Sequence, residues 1–109
     1  MSNVPSLEVE KLRDMLKEPE PPLVIDVREP RENEICSIPG SILIPLGSLP
    51  ERLGELPKDR VIVMHCHHGG RSSRATAFLL AEGYTNVFNL AGGIHAWSTR
   101  IDPGVKTYQ

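Results

Sequence analysis

Val61-Ile62-Val63-Met64-His65-Cys66-His67-His68-Gly69-Gly70-Arg71-Ser72 runs from an apolar stretch through a single cysteine and paired glycines into a helical pattern. Four apolar residues in a row, two of them valine, suit a strand covered on both faces. The glycines let the chain turn sharply, and several backbone N–H groups can then point at one spot. A helix starting near Arg71 adds partial positive charge there. A thiol at that spot is favoured as thiolate, and the thiolate is the nucleophile. The helix terminus alone contributes only roughly 0.3–1 kcal/mol, up to about 2 in a sheltered place, so Arg71 and the amide groups must supply the rest.

Outward from this segment, helices and strands alternate. Downstream, Ser72 to Glu82 reads as a helix with Ala75, Phe78 and Leu79 inward and Gly83 as its stop. Asn86 to Leu90 reads as a strand, and Gly92-Gly93 leads into a last helix through Trp97. Upstream, Ser48 to Leu53 reads as a short helix capped by Ser48 with Gly54 beyond it, and Ile42-Leu43-Ile44 as a strand stopped by Pro45. Leu23 to Val27 reads as a buried strand, and Pro30 to Glu34 as a helical turn. A first helix carries Val9, Leu12, Met15 and Leu16 on one face, with Ser6 as cap and Pro19 at its end. Strands alternating with helices imply a parallel sheet with right-handed crossovers and helices on both faces. Four strands are clear, and a fifth falls near Asn3 to Pro5. Ligands of such sheets bind beyond the strand C-termini, which puts Asp26, Arg28 and Cys66 on one edge.

The 109 residues suit one domain over residues 1–109, with a core at about 6–99 and a polar tail at 100–109. Hydrophobic content of 39% and charged content of 24% are those of a globular protein. A net charge of −2 argues against a nucleic-acid or anionic-membrane partner, so any anion site must be local. No basic segment followed by an apolar run opens the chain, and two cysteines suit a reducing cytoplasm.

The order of Asp26-Val27-Arg28-Glu29, Ile38-Pro39-Gly40-Ser41, the Cys66 to Ser72 loop and Gly92-Gly93-Ile94-His95-Ala96-Trp97 resembles rhodanese-like sulfurtransferase domains over roughly residues 6 to 99. Glu34-Ile35-Cys36-Ser37-Ile38-Pro39-Gly40, Cys66-His67-His68-Gly69 and the tail with Asp102-Pro103 and Tyr108 are similar to the subgroup fused to enzymes that adenylylate sulfur-carrier proteins. Ser37, which stands where many of these domains have histidine, follows the subgroup, and no role is carried over to it. The resemblance implies a three-layer α/β/α domain around a parallel sheet, five-stranded in the family. It also implies Cys66 as the residue that carries sulfur as a persulfide. Its sources and partners would be a small donor such as thiosulfate and a thiol or sulfur-carrier acceptor, with no cofactor. Within the loop, the N–H groups of His67, His68, Gly69, Gly70, Arg71 and Ser72 would surround the outer sulfur, and Arg71 would meet the sulfonate end of thiosulfate. Asp26 and Arg28 would hold the loop.

Two other functions compete with this one. The same domain could serve as a relay or docking module for a sulfur-carrier or tRNA-modifying partner. Phosphatases and arsenate reductases are the other class, but phosphatases of this fold use a Cys-x5-Arg loop, whereas Cys66 to Arg71 is one residue shorter. The shorter loop suits a sulfur atom better than a phosphate.

Plainer readings apply to the neighbours. Cys36 reads as a buried thiol without a redox partner. His65 ends a strand, and His67 and His68 shape the rim. Adjacent histidines rarely converge on one ion and no second pair stands at zinc spacing, so no metal is expected. His95 reads as a surface residue of the last helix and Trp97 as its core anchor. Arg74 reads equally as a source of local positive potential and as a solvated helix position. Gly92-Gly93 reads as a tight turn.

Overall fold

The computed structural model describes residues 4–108. Ten regular elements alternate: β1 (Ser6–Leu7), α1 (Val9–Met15), β2 (Leu23–Asp26), α2 (Pro30–Ile35), β3 (Ile42–Leu43), α3 (Leu49–Arg52), β4 (Ile62–His65), α4 (Gly70–Ala81), β5 (Val87–Leu90) and α5 (Gly93–Arg100). The strands form one sheet in the order β1-β5-β4-β2-β3, with every pairing parallel.

Period-two alternation along the central strands divides the core between the two faces. Ile25, Ile62 and Met64 pack with Ala75 and Leu79 of α4 and with Leu49 at the start of α3. Val24, Val63 and Leu90 face the other way, onto Val9 and Leu12 of α1 and Ile94 and Trp97 of α5. This is the three-layer α/β/α arrangement expected, and Trp97 is in the core at 6% exposure. No helix among the described residues is long and apolar enough to cross a membrane.

The N-terminus departs from the sequence reading. Ser6 does not cap α1; it belongs to the fifth strand, which lies just after the place expected for it, and Asn3 falls outside the described residues. The exposed edge of β5 carries unpaired backbone groups, and β1 satisfies them through Asn89 N–H to Pro5 O at 2.9 Å and Ala91 N–H to Leu7 O at 2.8 Å. Glu8 becomes the residue before α1, its carbonyl accepting from Lys11 and Leu12 N–H.

Ser48 likewise makes no side-chain cap, because the chain is already turning in a 3₁₀ segment at Leu46–Ser48. Gly54 lies inside a second 3₁₀ turn, Leu53–Glu55, rather than beyond a helix end. The last helix continues past Trp97 to Arg100.

The segment after residue 100 is polar in composition, yet it packs against the domain. Val105 is 8% exposed within the α1/α5 side of the core, and its carbonyl accepts from the Ser98 hydroxyl. Hydrophobic periodicity cannot reveal such a segment, because Ile101, Val105 and Tyr108, which anchor it, lie in no helix or strand.

His65 ends β4 fully buried, and burial pushes its pKa down from 6.5 to about 4. Because its folded value lies below its unfolded one, its contribution is fully present above about pH 6.5 and is lost as pH falls toward 4. Between pH 7 and 4.5 the chain should lose roughly 2–3 kcal/mol through this group alone. Urea unfolding at the two pH values measures the loss, and His65→Leu should flatten it. An unchanged slope in that variant would discount the histidine.

Candidate active site

The chain leaves β2 toward β3 on one side and leaves β4 toward β5 on the other. The crevice at the C-terminal ends of β2 and β4 is therefore the point where the strand order reverses. Asp26 pairs with His65 in this ladder, and Val27 N–H donates to His65 O at 3.0 Å. Cys66 is the first residue beyond β4 and Arg28 the second beyond β2, so the register brings them to one edge.

Cys66 is 1% exposed. Its Sγ accepts from Gly69 N–H at 3.1 Å and Ser72 N–H at 3.4 Å. Gly69 holds φ 121° as the residue before α4, a conformation that favours glycine and turns its N–H back to the sulfur. Ser72 Oγ lies 3.3 Å from Sγ, 3.3 Å from Gly69 O and 2.5 Å from Asn89 Oδ1. One hydroxyl proton serves one of these acceptors at a time. The two amides and the α4 N-terminus all complement negative charge on the sulfur.

Beneath the loop, Arg28 and Asp26 are both fully buried and joined by two parallel bonds, Nε to Oδ1 at 2.9 Å and Nη2 to Oδ2 at 2.8 Å. Arg28 also donates to the Cys36 carbonyl at 2.7 Å, the Glu32 carbonyl at 3.2 Å and the Tyr108 hydroxyl at 3.0 Å. Burial opposes ionisation of Asp26, but the bonds from Arg28 and Asn33, together with the nearby His65, outweigh it and hold the carboxyl below its ordinary value. A surface pair is thereby excluded; these two charges form an internal tie between β2, α2 and the tail.

Arg71 reaches across to Glu32, with Nη1 to Oε1 at 2.7 Å and Nη2 to Oε2 at 2.9 Å. The Arg71 bonds pull the Glu32 pKa down to about 2. Tyr108 donates its hydroxyl to Glu32 Oε2 at 2.8 Å and stacks on His67 with ring centroids 3.9 Å apart. Arg31, Glu32, Ile35, His67, Arg71 and Tyr108 line a cavity of about 550 Å³ beside the cysteine loop.

The turn before α5 closes the site from behind. Ile94 N–H donates to Cys66 O at 2.9 Å and His95 N–H to His67 O at 3.1 Å. Gly93 has φ +60°, and a Cβ there would come within 2.6 Å of Cys66 O and closer still to His67 O. Gly93→Ala should cost about 2–4 kcal/mol through the strained φ and this overlap. Thermal unfolding tests it; a loss below about 1 kcal/mol would mean that the loop yields more easily than these bonds imply.

These bonds also carry His95 to the loop. It is partly buried and meets His67 and His68, rather than standing alone on the helix surface. The expectation of no metal weighed His65, His67 and His68 as neighbours in sequence and left His95 out of the count. Arg74 is exposed on α4, while Cys36 is 9% exposed with its sulfur 3.8 Å from Arg28 Nη1.

Asn89, Glu32 and Tyr108 are the site residues that sequence reasoning missed. Asn89 gave a signal, a polar residue poorly suited to strands inside Val87-Phe88-Asn89-Leu90. Glu32 gave none, since acidic helix-start residues are ordinary, and Tyr108 entered only through the likeness of the tail to the subgroup, with no role attached.

A parallel sheet with a cysteine loop at its reversal point is the frame of a known family, and the Rhodanese-like domain model matches residues 8–100. The chain belongs to the rhodanese-like sulfurtransferase family. It is 40% identical over 95 residues to a protein named sulfurtransferase from Allochromatium vinosum, spanning 87% of this chain and 89% of that one. It is 39% identical to the probable adenylyltransferase/sulfurtransferase MoeZ of Mycobacterium tuberculosis, covering 90% of this chain but only 26% of MoeZ. The crystal structure of a rhodanese-related protein from Thermoplasma volcanium superposes with a TM-score of 0.83 at 35% identity, over 95% of this chain and 99% of that one.

Proposed function

We propose that this protein moves a sulfane sulfur from thiosulfate or a related donor, through a persulfide on Cys66, to a thiophilic acceptor. The observation that carries this reading is the set of donors converging on Cys66 Sγ from Gly69 and Ser72. The Cys66 thiolate attacks the outer sulfur of thiosulfate, a sulfur–sulfur bond forms, and the donor's own sulfur–sulfur bond breaks with its electron pair leaving on sulfite. The acceptor then attacks the outer sulfur of the persulfide and the thiolate returns. Gly69, Gly70 and the other loop N–H groups from His67 to Ser72 surround the transferred atom, and His67 and His68 form the rim.

Arg71 meets the sulfonate end of the donor, but it shares its charge with Glu32. This offsets much of its pull on an anion. Asp26 and Arg28 position the loop from below and do not touch the reacting sulfur. Both cysteines are free thiols, as a reducing cytoplasm would keep them.

A second reading, delivery of sulfur to or from a small sulfur-carrier protein, draws support from MoeZ, whose name joins adenylyltransferase and sulfurtransferase. Both readings require the same covalent intermediate. Mass spectrometry of the intact chain after thiosulfate treatment should show one added sulfur atom, located on Cys66. A folded chain that gains none from excess donor would exclude thiosulfate chemistry.

A further inference from the structure

His67, His68 and His95 each offer a ring nitrogen, and the three nitrogens lie within 4.8 Å of one another. The ring centroids are 4.1 Å apart for His67 and His68, 5.0 Å for His68 and His95, and 5.9 Å for His67 and His95. We propose that this trio binds a divalent transition ion of the zinc class, at the rim of the cysteine loop and without using Cys66 as a ligand.

Two of the three rings carry an idle nitrogen: His67 Nε2 and His95 Nδ1 are buried from solvent and make no hydrogen bond. A buried unsatisfied polar atom is destabilising, and metal ligation through these nitrogens would relieve that at both positions. The backbone that carries them is already fixed. His95 N–H is bonded to His67 O, Ile94 N–H to Cys66 O, and Gly93 allows the close approach that makes both bonds possible.

The His67 ring is also braced from behind. It stacks on Tyr108 at an interplanar angle of 9° with ring centroids 3.9 Å apart, which holds the plane of the ring. Orienting a ligating ring from outside the coordination sphere is the usual support of a metal-ligating histidine.

Three imidazoles select zinc, copper or nickel over calcium and magnesium, which prefer oxygen ligands. Around tetrahedral zinc, with nitrogens at about 2.0–2.1 Å, the ligand atoms stand about 3.4 Å apart. The trio must therefore draw in by about 1.4 Å at its widest. Rotation of the three imidazole side chains about their χ angles can supply this, with the exposed His68 the least restrained. Three protein ligands leave a fourth position open to water or a small thiolate, as in zinc sites that exchange their last ligand. The site does not depend on the sulfur-transfer reading, because none of its ligands is the nucleophile.

The test uses the full chain carrying Cys66→Ser, so that a thiolate cannot capture the ion. The chain is stripped with chelator, then titrated with zinc chloride by calorimetry and with cobalt chloride by visible absorption. One ion per chain is expected, with cobalt d–d bands of a low-coordinate nitrogen site. Adding His95→Gln or His68→Gln should weaken binding by more than about tenfold, the scale seen when even an outer-shell partner is lost. Circular dichroism in metal-free buffer checks that both variants remain folded, and His68→Gln alters an exposed side chain. Absence of binding by the folded chain overturns the proposal. So does binding that both glutamine variants leave unchanged, or binding seen only with Cys66 present.

Discussion

Cys66→Ser is expected to lower thiosulfate-dependent thiocyanate formation by at least about 10³-fold, equivalent to about 4 kcal/mol of barrier, with the fold intact. The replacement is close in size, and the N–H groups of Gly69 and Ser72 can donate to a hydroxyl as they do to the thiol. What disappears is the nucleophile, since a serine hydroxyl is a weak nucleophile without an adjacent base. Among the groups bonded to Cys66 Sγ there is no base: they are the Gly69 and Ser72 N–H groups and the Ser72 hydroxyl, while the buried Asp26 carboxylate is engaged by Arg28 and Asn33. Cys36→Ser serves as the internal comparison. That thiol sits against Arg28 at the C-terminal end of α2, where no helix N-terminus favours a thiolate, so the variant should keep activity within about threefold. A Cys66→Ser enzyme that stays active, alongside an inactive Cys36→Ser, would transfer the nucleophile to the other cysteine.

The loop could be read from the chain because its signals are local. Glycines with a required backbone shape and a helix start lie within seven residues of one another, Cys66 to Ser72. The central strands were readable for a similar reason: Val24-Ile25 and Ile62-Val63-Met64 are apolar on both faces, and both faces are covered. Where contacts are long-range, this legibility fails. Ser6–Leu7 is too short to show alternation and exists because the β5 edge offers it partners. Tyr108 reaches Glu32 across 76 positions and Arg28 across 80, and no local pattern announces such a return. His95 was visible as a residue but not as a neighbour of His67, because the bond that joins them crosses from one loop to the next helix. The position of Arg28 was legible and its burial was not, since an arginine is almost never fully buried unless it is paired.

That pairing sets the second large effect. Arg28→Met should destabilise the domain by about 3–5 kcal/mol, a large share of the 5–15 kcal/mol typical of a folded chain. Methionine fills much of the space but leaves the Asp26 carboxylate buried at 0% exposure, with only Asn33 Nδ2 at 3.0 Å and the residue 28 amide at 3.0 Å to satisfy it. The carbonyls of Glu32 and Cys36 also lose donors, as does the Tyr108 hydroxyl its buried partner. Arg28→Lys should recover only part of the loss, because a single ammonium cannot reproduce the paired bonds to Oδ1 and Oδ2. Removing the carboxylate too, in Asp26→Asn/Arg28→Met, should be less harmful than the sum of the single changes, since the penalty of an unpaired buried charge vanishes. Urea unfolding at pH 7 of the wild type, Arg28→Met, Arg28→Lys, Asp26→Asn and the double variant, five chains in all, measures each step. If Arg28→Met loses less than about 1 kcal/mol, the pair is not an internal tie, and the link it makes between β2, α2 and the tail must lie elsewhere.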